Sequence, residues 1–324
     1  MSSAVVSVFS KTTNIYKELQ RVLPNITFHC VQEIENDEQF RKSHIIVGDY
    51  DLIGPHIYNL PHVKLVQGTW AGIDALIPHI RSNTPPTFPI VRFTGNHFGR
   101  LIGEYVVACI VNVERGIFEM KENQNKQQWV RKGKITEYRS IFDLTIGILG
   151  VGNIGDKIGR LLNYMGATVF GYGRRDSIDL VENNHISQYF NGNDLTRFLH
   201  NCDYVVNVLP STDQTKGLLH GTVLENCKER GTVFVNVGRG SVISEESLVR
   251  ALQEKWISGA ILDVFDNEPL REESLLWKME NVFISPHVSG MSRAKDIAEQ
   301  FKENLEFYEK NLPIPGTVDF SKGY

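Results

Sequence analysis

The first ninety residues alternate short apolar runs with polar segments of helical periodicity. Strand candidates lie at residues 5–9, 26–30, 44–47, 63–66 and 90–93, and helix candidates at 14–22 and 33–42. Short runs rich in Val and Ile indicate β-strands, and apolar positions that recur every three or four residues indicate helices. The order predicts a β-α-β-α-β beginning.

A long helical pattern begins near His97 and runs to about residue 121, and the alternation restarts at Thr145. Further strand candidates lie at residues 146–149, 168–172, 204–209, 233–237, 260–264 and 282–284, with a last helix at 293–310. Strands separated by helical crossovers favour parallel sheets covered on both faces. We therefore expect an α/β protein with a domain boundary near residue 97.

Composition narrows the class of protein. The 324 residues suffice for two domains, and 41% apolar with 22% charged residues is typical of globular chains. A net charge of −4 offers no basic excess for nucleic acid, and no apolar run approaches the length of a membrane span. The four scattered cysteines suggest neither a metal site nor disulfides, so we expect a reducing, cytoplasmic location.

A glycine turn follows the strand candidate at 146–149. Gly150, Gly152 and Gly155 have the spacing G-x-G-x-x-G, and Asn153 and Ile154 begin a helical pattern. In this context the first glycine permits the turn, the second admits a pyrophosphate and the third allows close helix packing. The turn predicts dinucleotide binding, and a packing turn without ligand is the alternative.

The next strand candidate ends in Gly173-Arg174-Arg175, where a carboxylate would bind the adenosine ribose of NAD. Guanidinium groups bind phosphate in a bidentate manner, so Arg174 and Arg175 favour NADP(H) over NAD(H). The alternative is that both arginines are simply solvated.

Three further segments each follow a strand candidate, at 235–240, 263–269 and 285–290. Together with the glycine turn they resemble the D-isomer-specific 2-hydroxyacid dehydrogenase family over nearly the whole chain. Gln128-Trp129, Pro269-Leu270 and Leu276-Trp277 are similar to the glyoxylate/hydroxypyruvate reductase branch. The resemblance implies a Rossmann-type domain (97–290) inserted into a smaller flavodoxin-like α/β substrate domain (1–96 and 291–324).

The family resemblance implies that Arg239, Glu268 and His287 are catalytic. An imidazole titrates near neutrality, so His287 can donate the proton that reduction of a 2-oxo acid requires. Glu268 can orient the ring and favour its protonated form, while Arg239 can bind the substrate carboxylate and polarise the carbonyl. Each residue alone could be structural, whereas the three together, each after a successive strand candidate, favour a catalytic role.

Further positions are expected to contact the substrate or the cofactor. Substrate is expected to contact Arg239, His287 and the loop of Trp70, Ala71 and Gly72, although Trp70 could equally cover core. Asp263 resembles the residue that contacts the nicotinamide carboxamide, with a helix-capping role as its rival. Leu209, Pro210, Val237, Gly238 and Gly290 are expected to line the cofactor.

The leading hypothesis is an NADPH-dependent reductase of small 2-oxo acids such as glyoxylate or hydroxypyruvate. One alternative is an NAD-linked dehydrogenase, against which the Gly-Arg-Arg strand end argues. The other is a nucleotide-sensing, corepressor-like binding protein, which motifs alone do not exclude. The resemblance also implies a homodimer joined through the cofactor domain.

Overall fold

The computed structural model describes residues 5–34 and 37–323. The chain divides into two compact units, the first comprising Met1–Phe98 with Met291–Tyr324 and the second Gly99–Gly290. Each unit is built around its own parallel β-sheet.

The first unit contains a five-stranded sheet in the order β2-β1-β3-β4-β5. Its strands are β1 (Val6–Phe9), β2 (Phe28–Cys30), β3 (Ile45–Gly48), β4 (Leu65–Gly68) and β5 (Ile90–Val91). Every pairing is parallel, which suits β3 and β4 because all their residues are buried. This strand order is the flavodoxin-like one, so the predicted class of this unit is confirmed.

Four helices accompany this sheet: α1 (Ile15–Val22), α2 (Glu38–Arg41), α3 (Tyr50–Ile53) and, from the end of the chain, α9 (Ala294–Glu309). The predicted helix at 33–42 is shorter, and its residues 35 and 36 lie outside the described part. Helix α9 packs against α1 and is hydrogen bonded to the strand ends, where Gln300 Nε2 donates to Arg92 O and Asn304 Nδ2 to Gln67 Oε1. The last helix is therefore an integral part of the first unit.

The second unit contains a seven-stranded sheet in the order β12-β11-β10-β9-β6-β7-β8. Its strands are β6 (Thr145–Leu149), β7 (Thr168–Tyr172), β8 (Gln188–Phe190), β9 (Tyr204–Asn207), β10 (Val233–Asn236), β11 (Gly259–Leu262) and β12 (Val282–Ile284). All pairings are again parallel, and the order changes direction between β6 and β9. This is the Rossmann arrangement with one added strand, as predicted.

The helices assigned to this part of the chain are α4 (Asn96–Arg115), α5 (Ile117–Asn125), α6 (Asn153–Tyr164), α7 (Leu195–His200) and α8 (Glu245–Gln253). The single helix predicted from His97 to residue 121 was wrong, because Gly116 adopts φ +60° and separates α4 from α5. A glycine in the left-handed region ends a helix at little steric cost, whereas apolar periodicity alone does not register the interruption.

None of the helices in the described ranges is long and apolar enough to cross a membrane. The same residues contain no group of three or more His, Cys, Asp or Glu side chains that could hold a metal ion. All four cysteines are free, with Cys30 exposed and the other three buried.

Candidate active site

The glycine turn lies between β6 and α6, at the carboxyl end of β6, an interior strand of the second unit's sheet. Gly150 has φ +106°, and a Cβ at Gly155 would lie 2.0 Å from the Gly150 carbonyl oxygen. A Cβ at Gly152 would meet no atom within 4 Å. Asn153 is exposed and Ile154 half-buried at the start of α6. The turn therefore presents a helix N-terminus beside open space, which suits an anionic ligand.

Arg174 and Arg175 follow the end of β7. Arg175 Nη2 donates to the carbonyl oxygen of Val151 over 2.9 Å, which brings this guanidinium to the glycine turn. Arg174 Nη1 donates to Gln214 Oε1 over 3.0 Å. Glycine, not a carboxylate, stands at residue 173 between the strand and this pair. Gln214 was not predicted, because a glutamine in a loop has no recognisable sequence pattern until folding brings it to an arginine.

The predicted cofactor-lining loops follow β9 and β10. Leu209 is buried, and its side chain would be 3.2 Å from a Cβ at Gly150. A Cβ at Gly238 would lie 2.9 Å from Leu209 N, so the loops that hold Leu209, Pro210, Val237 and Gly238 pack closely beside the glycine turn. The structure thus brings these segments together along one sheet edge.

A buried amide pair supports the same edge. Asn207 Nδ2 donates to Asn236 Oδ1 over 2.8 Å, and both amides lie within hydrogen-bond reach of the Arg239 carbonyl oxygen. Asn207 and Asn236 end strands that are otherwise apolar, and this signal was available in the sequence. They hold the backbone from which the Arg239 side chain projects.

Arg239 is half-buried and lies three residues beyond the end of β10. Its Nη1 donates to the Gly238 carbonyl oxygen over 2.8 Å. The next residue, Gly240, packs so tightly that a Cβ there would lie 1.8 Å from the carbonyl carbon of Phe265. The arginine loop is therefore in contact with the loop that carries Glu268.

Glu268 and His287 form a hydrogen-bonded pair between the loops that follow β11 and β12. His287 Nδ1 lies 2.8 Å from Glu268 Oε2, and Phe265 N donates to Glu268 Oε1 over 2.9 Å. An ionised carboxylate only accepts, so Nδ1 carries the shared proton and Nε2 is the ring atom left for another partner. The His287 side chain is 54% exposed, which makes that nitrogen accessible to a ligand.

Asp263 is completely buried at the end of β11. Its carboxylate accepts from Ser285 Oγ and Val288 N at Oδ1, and from Ser289 N at Oδ2. These donors belong to the loop that carries His287 and ends at Gly290, so the carboxylate caps this loop and no helix. The nicotinamide contact predicted for Asp263 stays a prediction.

The loop of Trp70, Ala71 and Gly72 belongs to the first unit, where it follows β4. Trp70 is half-buried and packs on the core, with its ring edge-on to Tyr50 at 6.4 Å. The loop is anchored by the buried Asp49, which accepts from Thr69 Oγ1 over 2.6 Å. Asp49 was not predicted as a site residue, although a carboxylate directly after an apolar strand is a pattern that can be recognised in the sequence. The substrate contact predicted for this loop stays a prediction.

Comparison with known proteins defines the class. The model of the family "D-isomer specific 2-hydroxyacid dehydrogenase, NAD binding domain" matches residues 107–289, more than half of the chain. The chain therefore belongs to the D-isomer specific 2-hydroxyacid dehydrogenase family, whose members are oxidoreductases that act on a CH–OH group. The family predicted from the sequence is confirmed.

Similar solved structures extend over the whole chain. A D-isomer specific 2-hydroxyacid dehydrogenase from Xanthobacter autotrophicus Py2, in complex with NADPH and MES, is 27% identical, with a TM-score of 0.84 and 100% of both chains covered. A family protein from Aeromonas salmonicida is also 27% identical, with a TM-score of 0.83, over 98% of this chain and 100% of that chain. An NADPH-dependent glyoxylate/hydroxypyruvate reductase from Sinorhizobium meliloti, in complex with NADP and sulfate, is 25% identical, with a TM-score of 0.82, over 99% and 100%.

Proposed function

We propose that this protein catalyses the NADPH-dependent reduction of a small 2-oxo acid, such as glyoxylate or hydroxypyruvate, to the 2-hydroxy acid. The observation that carries the proposal is the contact of 2.8 Å between His287 Nδ1 and Glu268 Oε2, on the sheet edge that also holds the glycine turn. Ligands of open α/β sheets bind at this edge.

The residues at the glycine turn fit NADP(H). The open space beside Gly152 leaves room for a pyrophosphate at the start of α6. Arg174 and Arg175 would hold the 2′-phosphate, since no carboxylate precedes them to repel it. The complexes of similar enzymes with NADPH and NADP support this choice. When bound, NADPH supplies the hydride that reduces the carbonyl carbon.

Side chains of the protein would donate the proton and bind the negatively charged substrate. His287 Nε2 would donate a proton to the carbonyl oxygen, while Glu268 stabilises the imidazolium at Nδ1. Arg239 would bind the substrate carboxylate through charge-assisted hydrogen bonds.

The decisive experiment measures NADPH oxidation by the purified protein with 2-oxo acids of rising chain length. We expect turnover with the shortest acids. His287→Ala should lower kcat by about 10²- to 10⁴-fold, the usual contribution of a general acid, while the Kd for NADPH changes little. Near-normal turnover in this variant would contradict the acid assignment. A wild-type protein that binds NADPH but turns over no 2-oxo acid would favour the corepressor-like alternative.

A further inference from the structure

A chain of hydroxyl groups reaches from helix α4 to the loop that carries His287. The Tyr105 hydroxyl lies 2.5 Å from Ser285 Oγ, and Ser285 Oγ lies 2.5 Å from Asp263 Oδ1. Asp263 is completely buried, and Ser285 is only 7% exposed. The three side chains thus form one connected group inside the second unit, outside the catalytic residues described above.

The direction of each hydrogen bond follows from the carboxylate. Ser285 Oγ donates its one proton to Asp263 Oδ1, and the carboxylate also accepts from the N–H groups of Val288 and Ser289. The lone pairs of Ser285 Oγ are thus left to accept from Tyr105. Burial raises the pKa of the Tyr105 hydroxyl, so it remains a donor throughout the neutral range.

The backbone of three successive residues depends on Asp263. His287 N donates to the Asp263 carbonyl oxygen over 2.9 Å, and the next two N–H groups donate to its carboxylate. His287 itself has φ +55°, a left-handed conformation that costs free energy in a residue with a side chain. The orientation of the Asp263 carboxylate therefore determines whether His287 keeps this backbone conformation.

We propose that Ser285 and Tyr105 are positioning residues, which hold the Asp263 carboxylate so that the His287 imidazole stays aligned with Glu268. The inference rests on the proposed function, because it assigns to His287 the proton transfer that this alignment serves. Neither Ser285 nor Tyr105 is required to touch the substrate. A catalytic group held by neighbours in one geometry reacts faster than one that samples several.

The test compares Ser285→Ala, Ser285→Thr and Tyr105→Phe with the control Tyr204→Phe. Tyr204 is a buried tyrosine that, like Tyr105, makes a side-chain hydrogen bond between α4 and another element, since its hydroxyl donates to Glu114 Oε1 over 2.7 Å. It has no contact with the Asp263 group among the described hydrogen bonds. For each variant, kcat and KM are measured with a 2-oxo acid, together with amide hydrogen exchange of the peptide that covers residues 285–290.

We expect Ser285→Ala to lower kcat by about 10- to 100-fold, because a misaligned catalytic group loses rate on this scale. Its KM should change far less, and exchange at residues 288 and 289 should accelerate. Tyr105→Phe should show the same changes to a smaller extent. Ser285→Thr retains the hydroxyl and should restore both readouts, while Tyr204→Phe should resemble the wild type.

The proposal is overturned if Ser285→Ala and Tyr105→Phe match Tyr204→Phe in both readouts, or if threonine at 285 is as damaging as alanine. Hydrogen exchange keeps the outcome separate from the proposed function. If the wild type shows no turnover but exchange at residues 288 and 289 still accelerates in Ser285→Ala, the positioning role is supported and the proposed reaction is refuted. If Ser285→Ala does not fold, the same two measurements on Tyr105→Phe and Ser285→Thr still test the positioning role.

Discussion

Gly152 and Gly155 are glycines for different reasons, although they belong to one motif. Gly155 is required by packing, since a Cβ would collide with the Gly150 carbonyl oxygen. Gly152 has φ −105°, which any residue can adopt, and the surroundings of its Cβ position are open. Folding alone does not require a glycine at residue 152. The close approach of a cofactor phosphate to the backbone explains why the residue is a glycine.

Gly152→Ala should therefore fold normally and bind NADPH poorly. We expect the Kd for NADPH to rise by about tenfold or more, because the added methyl group occupies the space of the pyrophosphate at the helix N-terminus. Titration calorimetry and thermal unfolding would measure the two effects. Gly192→Ala is the matched control, since a Cβ there also meets nothing within 4 Å and the residue follows β8, outside the G-x-G-x-x-G motif. Unchanged NADPH affinity in Gly152→Ala would contradict the assignment of the site.

Arg174 and Arg175 are expected to determine the preference for NADPH over NADH. Replacing Arg174 and Arg175 together by alanine removes the cations proposed to hold the 2′-phosphate, which NADH lacks. The Kd for NADPH should rise by about 10²-fold, on the scale of two charge-assisted interactions, while that for NADH changes little. Fluorescence titration with both cofactors provides its own control. Equal losses for NADPH and NADH would mean that the pair is structural.

At the scale of elements, helix α4 is fixed to the sheet of the second unit by a buried ionic network. Glu114 accepts from Arg139 at both carboxylate oxygens and from the Tyr204 hydroxyl. Arg139 also donates to Asp203, which accepts from Thr145 N at the start of β6. Burial alone would raise the pKa of Glu114, but these hydrogen bonds outweigh it and hold the pKa below its usual range.

The depressed pKa of Glu114 predicts the pH dependence of stability. A carboxyl group with a lower pKa in the folded state stabilises the protein above its unfolded pKa of about 4.3, and this contribution disappears as the pH falls through the folded value. Glu114→Gln should lower the free energy of unfolding by about 1–3 kcal/mol at neutral pH, since it leaves buried donors poorly paired. The difference from wild type should shrink at acidic pH.

Urea unfolding at neutral pH and at about pH 4 measures this difference. Glu122→Gln on α5 is the control, because Glu122 is exposed and lies 4.0 Å from Lys126. We expect it to change stability by less than about 0.5 kcal/mol at either pH. A loss in Glu114→Gln that is equal at both pH values would show that the charge of Glu114 is not the cause.

At the scale of the whole molecule, the second unit carries large apolar side chains on its surface. Trp129 is 93% exposed and Tyr164 91%, and the exposed Phe142 packs beside Gly166, two residues after Tyr164 in the chain. Exposed apolar groups of this size are typical of contact surfaces. They are consistent with the homodimer that the family resemblance implies, joined through this unit.

Light scattering should therefore give twice the mass of one chain. The double variant Phe142→Glu and Tyr164→Glu should shift the protein towards monomer, because charges are poorly tolerated in the core of an interface. Leu312→Glu, at an exposed position of the first unit, should remain dimeric. A wild-type mass of one chain would refute the prediction.

The positions of most strands could be predicted because each is a short, continuous apolar run. β7 and β12 coincide with their predicted bounds. β8 was missed, because Gln188–Phe190 is three residues long and pairs only with β7 at the sheet edge. β9 ends two residues before its predicted end, since Val208 and Leu209 already turn towards the glycine loop.

The sequence by itself determined the kinds of chemistry available. The glycine turn, the arginine pair and the three segments with Arg239, Glu268 and His287 could be recognised from local patterns. Each consists of neighbouring residues whose spacing has a physical meaning. These patterns were sufficient to predict the family and the two α/β folds, both of which are confirmed.

Only the tertiary structure decided which side chains meet. The pair of Glu268 and His287, the group of Tyr105, Ser285 and Asp263, and the contact of Arg174 with Gln214 all join residues from separate elements. A hydrogen bond requires atoms about 3 Å apart, and this distance depends on how the intervening strands and helices pack. No spacing along the chain encodes it.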